Sequence, residues 1–482
     1  MAKFFITVAI DYINDRAHLG HAYEKIAADV LARWHRAKGD EVLFTLGTDE
    51  NSQKTVYAAE KAKKDTLEYA NEMAKIYQET WQKLNISYDD FIRTTEKRHK
   101  KAVEEFFKKL YASGNIYKGK YKGYYCFACE EFKKKEDLVN GKCPEHDKIP
   151  ELIEEENYFF RLGKYERKLL NYIENNPEFI QPASAKNEVL NFINEGLEDI
   201  SISRPRIPWG IPLPFDSSHI SWVWIDALIN YLTVCGFPND LFKFKKLWPA
   251  DIHIIGKNIT RFHCLIWPVL LWVVGVPLPK KIFAHGFITI EGEKMSKTRK
   301  NVIDPLFVTK KYGVDALRYS LLREIPFGQD GDFSEEALKR RYNADLANGL
   351  GNLVQRVSVM LVKYFNGNLE KIETAPKELE GFQVTEVWQK IEKSLTELQF
   401  HEALTFIWQI IDRANKYIEK KKPWTYQRSA ISDQQSVLGT LIEVIREISE
   451  MLLPFMPETA SKIQKQFQGP KIEIQKPLFP KI

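Results

Sequence analysis

At 482 residues the chain is longer than the roughly 250 to 300 residues over which one hydrophobic core keeps growing, so several domains are required. Hydrophobic residues make up 44% and aromatics 13%, which excludes a disordered chain, and the longest apolar run, residues 265–276, is too short to span a bilayer. A net charge of +5 permits nucleic-acid binding without requiring it, and five cysteines are no disulfide framework; with no basic and apolar leader, the sequence reads as cytoplasmic with no membrane association.

Residues 4–10 form a short apolar run of strand length. Residues 21–36 then place Ala22, Ile26, Ala27, Val30, Leu31 and Trp34 at helical spacing, Gly39-Asp40 stops that helix, and 42–46 is strand-like again. A β-α-β start predicts a parallel sheet whose ligands bind beyond the carboxyl ends of its strands. Helical periodicity dominates 53–115. From 116 to about 150 it breaks into Gly, Tyr, Cys and Lys, as in an inserted module. Strand-like segments return at 252–255 and 281–290 around a long apolar helix near 262–274, so the α/β domain is split. Beyond about Glu335 an apolar stripe of Leu346, Leu350, Leu353, Val354 and Val357 opens a helical bundle, and the last dozen residues read as a loosely structured tail.

Three motifs carry chemistry. His18-Leu19-Gly20-His21 falls where the first strand's loop enters the first helix. Its glycine admits a ligand to the backbone, and the helix N-terminus with two imidazoles suits a phosphate chain, although the same pair could simply cap the helix. Lys294-Met295-Ser296-Lys297-Thr298 follows the turn residues Glu291, Gly292 and Glu293, and its two lysines suit phosphate neutralisation or an ordinary solvated loop. Cys126-x2-Cys129, a thirteen-residue spacer and Cys143-x2-His146 give paired soft ligands for a tetrahedral Zn2+. Four protein ligands close that site, which makes it structural.

The first two motifs together resemble the His-Ile-Gly-His and Lys-Met-Ser-Lys-Ser signatures of class I aminoacyl-tRNA synthetases. The runs 9–12, 47–50, 157–160, 203–205, 223–231 and 313–318 narrow the resemblance to the methionyl-tRNA synthetases, over residues 4 to about 424. The fold so implied is α/β: a class I Rossmann-like parallel-sheet catalytic domain split by a zinc-knuckle insertion, followed by an all-α anticodon-binding bundle. It would place the catalytic domain in 1–115 and 213–290, the insertion in 116–212, the signature loop and stem-contact linker in 291–340 and the bundle in 341–482.

The implied activity is that of a methionine–tRNA ligase, which forms methionyl-adenylate from L-methionine and ATP and passes the methionyl group to the 3′ end of initiator and elongator tRNA(Met). By the resemblance, His18, His21, Lys294 and Lys297 are the catalytic set and bind ATP together with Gly20, Gly256 and Asn258. Asp49 would meet the substrate ammonium, with Ile10, Tyr12, Trp224, Ala227, Leu228, Tyr231 and His263 lining the side-chain pocket, though 224–228 could equally be plain helix core. Asn352, Arg356 and Trp424 would read the anticodon. The implied cofactors are one structural Zn2+ on Cys126, Cys129, Cys143 and His146, and Mg2+ with ATP. Some members add a dimerising C-terminal domain for which this chain ends too early, so a monomer is expected.

The pattern also departs from the family. Asn51 and Ser52 stand where His-Gly is usual, Asn258 where Asp is usual, and Lys300 where Gly is common; Asp11 adds an acid beside the pocket. Arg204 matches an Arg often set at the substrate carboxylate, ahead of a short loop to Trp209. Two alternatives stand beside the methionine reading. One is another class I synthetase, of the cysteine type. The other is a non-catalytic RNA-binding paralogue, which Asn51 and Asn258 keep open.

Overall fold

The structure, a computed structural model, describes every residue except 1, 128, 145–146, 206–208, 296–300, 370–376, 380 and 427–430, and leaves the side chains of Tyr121 and Lys294 undescribed. It contains two compact units, the first of Met1–Ala17, Gly39–Gln82 and Ser87–His285, the second of His18–Lys38, Lys83–Ile86 and Gly286–Ile482. No helix among the described residues is long and apolar enough to cross a membrane.

The chain begins with β1 (Lys3–Val8) and β2 (Asp11–Tyr12), and its next element, α1 (Leu19–Ala37), belongs to the second unit. β3 (Glu41–Asp49), α2 (Gln53–Lys61), α3 (Thr66–Lys83), β4 (Asp90–Arg93) and α4 (Lys97–Ala112) follow. The strand β4 interrupts the stretch in which helical periodicity dominates. Four residues between two amphipathic helices are too few for a period to register.

An antiparallel sheet comes next, in the order β6 (Glu131–Lys133), β5 (Ile116–Cys126), β7 (Glu151–Phe160), β9 (Ile200–Ser201). Between β7 and β9 lie α5 (Glu166–Asn175), β8 (Ile180–Gln181) and α6 (Ala183–Asn194). A second antiparallel sheet joins β10 (Ser203–Pro205), β12 (Asp216–Ser221) and β11 (Pro212–Leu213). The unit closes with α7 (Val223–Thr233), α8 (Leu241–Leu247), β13 (Ile252–Gly256), a π-helix at Phe262–Ile266 running into α9 (Trp267–Val273), and β14 (Ile282–His285).

The central sheet of this unit has seven strands, in the order β2-β3-β1-β13-β14-β8 with β4 also on β3, and every pairing is parallel. Its strands read as apolar runs because both faces are covered: all five residues of β13 are buried. One element differs from expectation. β8 lies inside the stretch read as insertion, yet it pairs with β14 in the parallel sheet. Two residues carry no alternation by which a sequence could announce them.

In the second unit β15 (Ile288–Ile290) pairs antiparallel with β16 (Glu293–Lys294) and parallel with β17 (Gly331–Asp332). α10 (Pro305–Tyr312), α11 (Val314–Glu324) and α12 (Glu335–Arg341) lead through a π-helix at Tyr342–Gly351 into α13 (Asn352–Phe365), and then α14 (Thr385–Thr396), α15 (Phe400–Lys421), α16 (Ile431–Leu452) and α17 (Pro457–Gln468) complete a bundle. The stripe from Leu346 to Val357 is buried as its spacing requires. The tail has no helix or strand and is mostly exposed, as read, but it is anchored. The Ile472 N–H donates to the Gly367 carbonyl at 2.7 Å, and the buried Phe479 meets the Tyr342 ring edge-on at 5.7 Å. That docking needs glycine at 367, where φ is 72° and a Cβ would fall 2.2 Å from the Ile472 oxygen.

Buried charge also organises this unit. Arg318 on α11 is fully buried; its Nη2 donates to Asp29 of α1 at 2.6 Å and to the Pro454 carbonyl at 3.0 Å, and its Nε donates to the Phe455 carbonyl at 2.8 Å. Asp29 also accepts Arg33 Nε at 2.7 Å.

Candidate active site

The residues assigned to the amino-acid pocket come together in the first unit. Gly47 in β3 makes this possible, because a Cβ there would meet the Ile92 carbonyl oxygen at 2.3 Å and Ile10 Cγ2 at 2.8 Å. Ile10, Tyr12 and Trp224 pack half-buried against the core that contains Leu228 and Tyr231, and Ala227 is buried. Trp224, near the start of α7, stacks flat on Phe262 at 3.8 Å and presents its face to Tyr12 edge-on at 5.9 Å. The Tyr231 hydroxyl lies 2.8 Å from His263 Nε2, within hydrogen-bond reach, while His263 Nδ1 donates to the Ile259 carbonyl at 3.1 Å. His253 lies beneath, stacked on Tyr231 at 4.3 Å and held by Thr7 at 2.6 Å, its pKa well below the ordinary value through burial and the neighbouring His263. An aromatic, polarisable wall of this kind suits a flexible thioether.

Acidic groups gather at one end of that wall. Asp49, the last residue of β3, is 2% exposed, and its Oδ1 is buried with no hydrogen-bond partner among the described residues. Burial pushes its pKa well above the usual carboxylate value; the charges of Asp226 and Glu130 add to the rise, and Lys54 and the Asn51 backbone N–H oppose it. Desolvated carboxylate with an unmet acceptor is the arrangement an incoming cation would complete. Asn51, one of the departures, is absorbed: its amide donates to Asp226 Oδ2 at 2.7 Å and to the Thr94 carbonyl at 3.2 Å, while Asp226 Oδ1 meets His99 Nε2 at 2.6 Å. Arg204 is ion-paired to Glu155 at 3.0 Å and lies over the Tyr125 ring at 3.8 Å. Trp209 donates its indole N–H to the Glu50 carbonyl at 2.7 Å. Gly256 ends β13, where a Cβ would fall 2.8 Å from Asn258 Oδ1, and Asn258 is exposed there.

The first signature segment and the described start of the second, Lys294 and Met295, both belong to the second unit. His18 is the N-cap of α1 and accepts the Gly20 N–H on Nδ1 at 3.1 Å, while His21 Nδ1 accepts the His18 N–H at 3.2 Å. The capping alternative is therefore real in this state, and it is compatible with the other: with Nδ1 accepting, a neutral ring carries its proton on Nε2 as a donor. The rings stack at 3.9 Å. A Cβ at Gly20 would lie 3.6 Å from Met295 Cε, and the Leu19 N–H donates to the Ile303 carbonyl at 3.1 Å, so Met295 and Ile303 lie beside the start of α1. Lys294 pairs with Thr289 through its backbone; Lys297 lies outside the described residues, as does Lys300.

Residues 4–149 and 135–358 match the family described as tRNA synthetases class I (M), and 383–481 match the anticodon-binding domain of tRNA ligase. A Methionine–tRNA ligase of Caldanaerobacter subterraneus subsp. tengcongensis is 47% identical over 470 residues, which cover 96% of this chain and 73% of the relative. One from Thermotoga maritima is 44% identical over 475 residues, with 96% and 74% covered. The Mycobacterium tuberculosis methionyl-tRNA synthetase solved in complex with methionyl-adenylate superposes with a TM-score of 0.94 at 38% identity, covering 100% of each chain. The chain belongs to the methionyl-tRNA synthetases.

Two further groups of residues were expected from the sequence. Cys126, Cys129 and Cys143 are buried with their sulfurs all within 4.8 Å of one another, and Cys129 and Cys143 Sγ are 3.5 Å apart. Thiolates about 2.3 Å from a tetrahedral ion would sit roughly 3.8 Å apart, so this cluster can hold a metal. His146 lies outside the described residues. In the bundle, Trp424 is 42% exposed just after the αL residue Lys422 ends α15, with the Arg356 guanidinium 5.7 Å from its ring. Arg356 also pairs with Glu419 at 2.8 Å, and the exposed Asn352 reaches Asn415 at 3.5 Å. Sequence reasoning passed over Phe262, Lys54 and Glu130. Phe262 reads as core, but Glu130 directly follows Cys129, one of the candidate metal ligands, and that adjacency was a usable signal.

Proposed function

We propose that this chain is a methionine–tRNA ligase that activates L-methionine with ATP and loads it onto tRNA(Met), initiator and elongator alike. The observation that carries the reading is the buried, under-bonded carboxylate of Asp49 at the end of an aromatic pocket. Asp49 pairs with the substrate ammonium, and Ile10, Tyr12, Trp224, Ala227, Leu228, Tyr231 and His263 enclose the thioether.

The methionine carboxylate oxygen then attacks the α-phosphorus of ATP. A new O–P bond forms, the bond to the bridging oxygen breaks and pyrophosphate leaves. The substrate brings its own nucleophile, so the protein's contribution is alignment and stabilisation of negative charge. His18 and His21 donate from Nε2 to the phosphates, Gly20 keeps the backbone approachable, Gly256 and Asn258 hold the nucleotide, and Lys294 and Lys297 neutralise the leaving pyrophosphate. Bound Mg2+ would share that neutralisation. In the second step a hydroxyl of the terminal adenosine attacks the activated carbonyl and AMP departs.

Cys126, Cys129, Cys143 and His146 would hold one Zn2+, whose role is to fix the knuckle. Asn352, Arg356 and Trp424 read the anticodon, Trp424 by stacking on an unpaired base. The enzyme works in the cytoplasm as a monomer, which sedimentation equilibrium tests. The deciding experiment is exchange of labelled pyrophosphate into ATP with each of the twenty amino acids. Exchange with methionine is expected. Exchange with cysteine alone would reassign the substrate, and none at all would leave a non-catalytic RNA-binding protein.

A further inference from the structure

A buried carboxylate that adenylate chemistry leaves without a role sits one residue beyond the second knuckle cysteine. Glu130 is 2% exposed and held at φ 57°, a left-handed conformation that side chains other than glycine rarely adopt. Its Oε1 accepts the Ser52 hydroxyl at 2.7 Å and the Lys54 N–H at 3.4 Å, and its Oε2 accepts the Tyr12 hydroxyl at 3.4 Å. Its own carbonyl accepts the Trp222 indole at 2.8 Å, and the preceding Cys129 carbonyl accepts the Trp224 indole at 3.3 Å. Two adjacent residues of the knuckle thus hold two walls of the amino-acid pocket and the N-cap of α2.

Ser52 stands where the family usually has glycine, so the shortest of these bonds belongs to this chain's own sequence. A carboxylate is a costly group to bury for packing alone, and its bonds among the described residues lead to Tyr12 and to the turn before α2.

We propose that Glu130 is a positioning residue for methionine recognition, which fixes Tyr12 and the turn before α2 so that the knuckle and the pocket form one hydrogen-bonded unit. The proposal rests on reading Tyr12, Asp49 and Trp224 as the methionine site. Glu130 touches no reacting atom; it sets how well the Tyr12 ring and Asp49 are placed before methionine arrives.

The test is a double-substitution cycle in the full chain with its metal bound. Glu130→Gln keeps the size and an acceptor for Ser52 but removes the charge and the acceptor facing Tyr12; Tyr12→Phe removes the matching donor. Methionine affinity is read from intrinsic tryptophan fluorescence, and zinc content by elemental analysis. We expect Glu130→Gln to weaken methionine binding about tenfold, the loss of one charge-assisted bond, with zinc content equal to the unsubstituted protein. The double variant should be no weaker than the worse single one. Unchanged methionine affinity in Glu130→Gln, losses that multiply in the double variant, or loss of zinc from Glu130→Gln would each overturn it. Absence of methionine-dependent exchange in the unsubstituted protein would instead sink the proposed function, and this inference with it.

Discussion

Arg318 and Asp49 are both charged groups taken almost wholly out of water, and they are treated in opposite ways. Arg318 spends its donors on Asp29 and on the Pro454 and Phe455 carbonyls, and Asp29 is shared with Arg33. Asp49 keeps an oxygen without a partner among the described residues and lies beside Asp226 and Glu130, which make its charge harder to hold. A buried charge whose bonds are complete organises the fold around it, whereas one left incomplete is poised for something that arrives later. Both residues fall in runs that resemble the family, so the resemblance alone did not separate these roles.

The largest expected effect breaks the completed side of this contrast. Arg318→Met takes away the fully buried counter-charge of Asp29 and the donors of the Pro454 and Phe455 carbonyls, and should lower stability by about 3 to 5 kcal/mol, read as a drop in the urea midpoint at unchanged slope. Asp49→Asn should do the reverse: methionine-dependent exchange falls about a hundredfold while the unfolding midpoint at neutral pH stays level or rises. A loss of stability comparable to that of Arg318→Met would mean Asp49 is structural after all. Arg33→Ala removes one partner of Asp29 and should cost about 1 kcal/mol, because Arg318 still compensates the charge.

A gentler probe is pH. The pKa of Asp49 is raised on folding, so the folded chain holds a proton there that the unfolded chain has released, and stability falls as pH climbs through the folded value. Methionine needs the ionised form. Its affinity should therefore strengthen as pH rises above the ordinary carboxylate range, a trend absent in Asp49→Asn and shifted to lower pH in Asp226→Asn, where one repelling charge is gone. Titration calorimetry across pH measures both.

The elements with a strong period were legible. The α1 helix, the buried β13 run and the Leu346 to Val357 stripe lie where spacing puts them, within a few residues of the expected ends. What escaped was short or non-local: β4 and β8 are too brief to show alternation, and the tail is held by the absence of a side chain at Gly367, about a hundred residues before its Ile472 partner. In the site, the imidazole and cysteine spacings could be seen because their chemistry depends on neighbours in sequence. Glu130 was marked only by its place beside Cys129, and its partners Ser52 and Tyr12 are brought to it by folding alone.

The π-helix at Phe262–Ile266 has a consequence for how this pocket tolerates change. A π-turn carries one residue more than an α-turn, which is why such turns behave as helices with a surplus member. The surplus falls where two consecutive side chains both face pocket partners, Phe262 under Trp224 and His263 against Tyr231. Removing any one residue between 262 and 266 would let the segment relax into a regular α-helix and rotate one of those rings off its partner. Substitutions there can be graded, but a deletion is all or nothing.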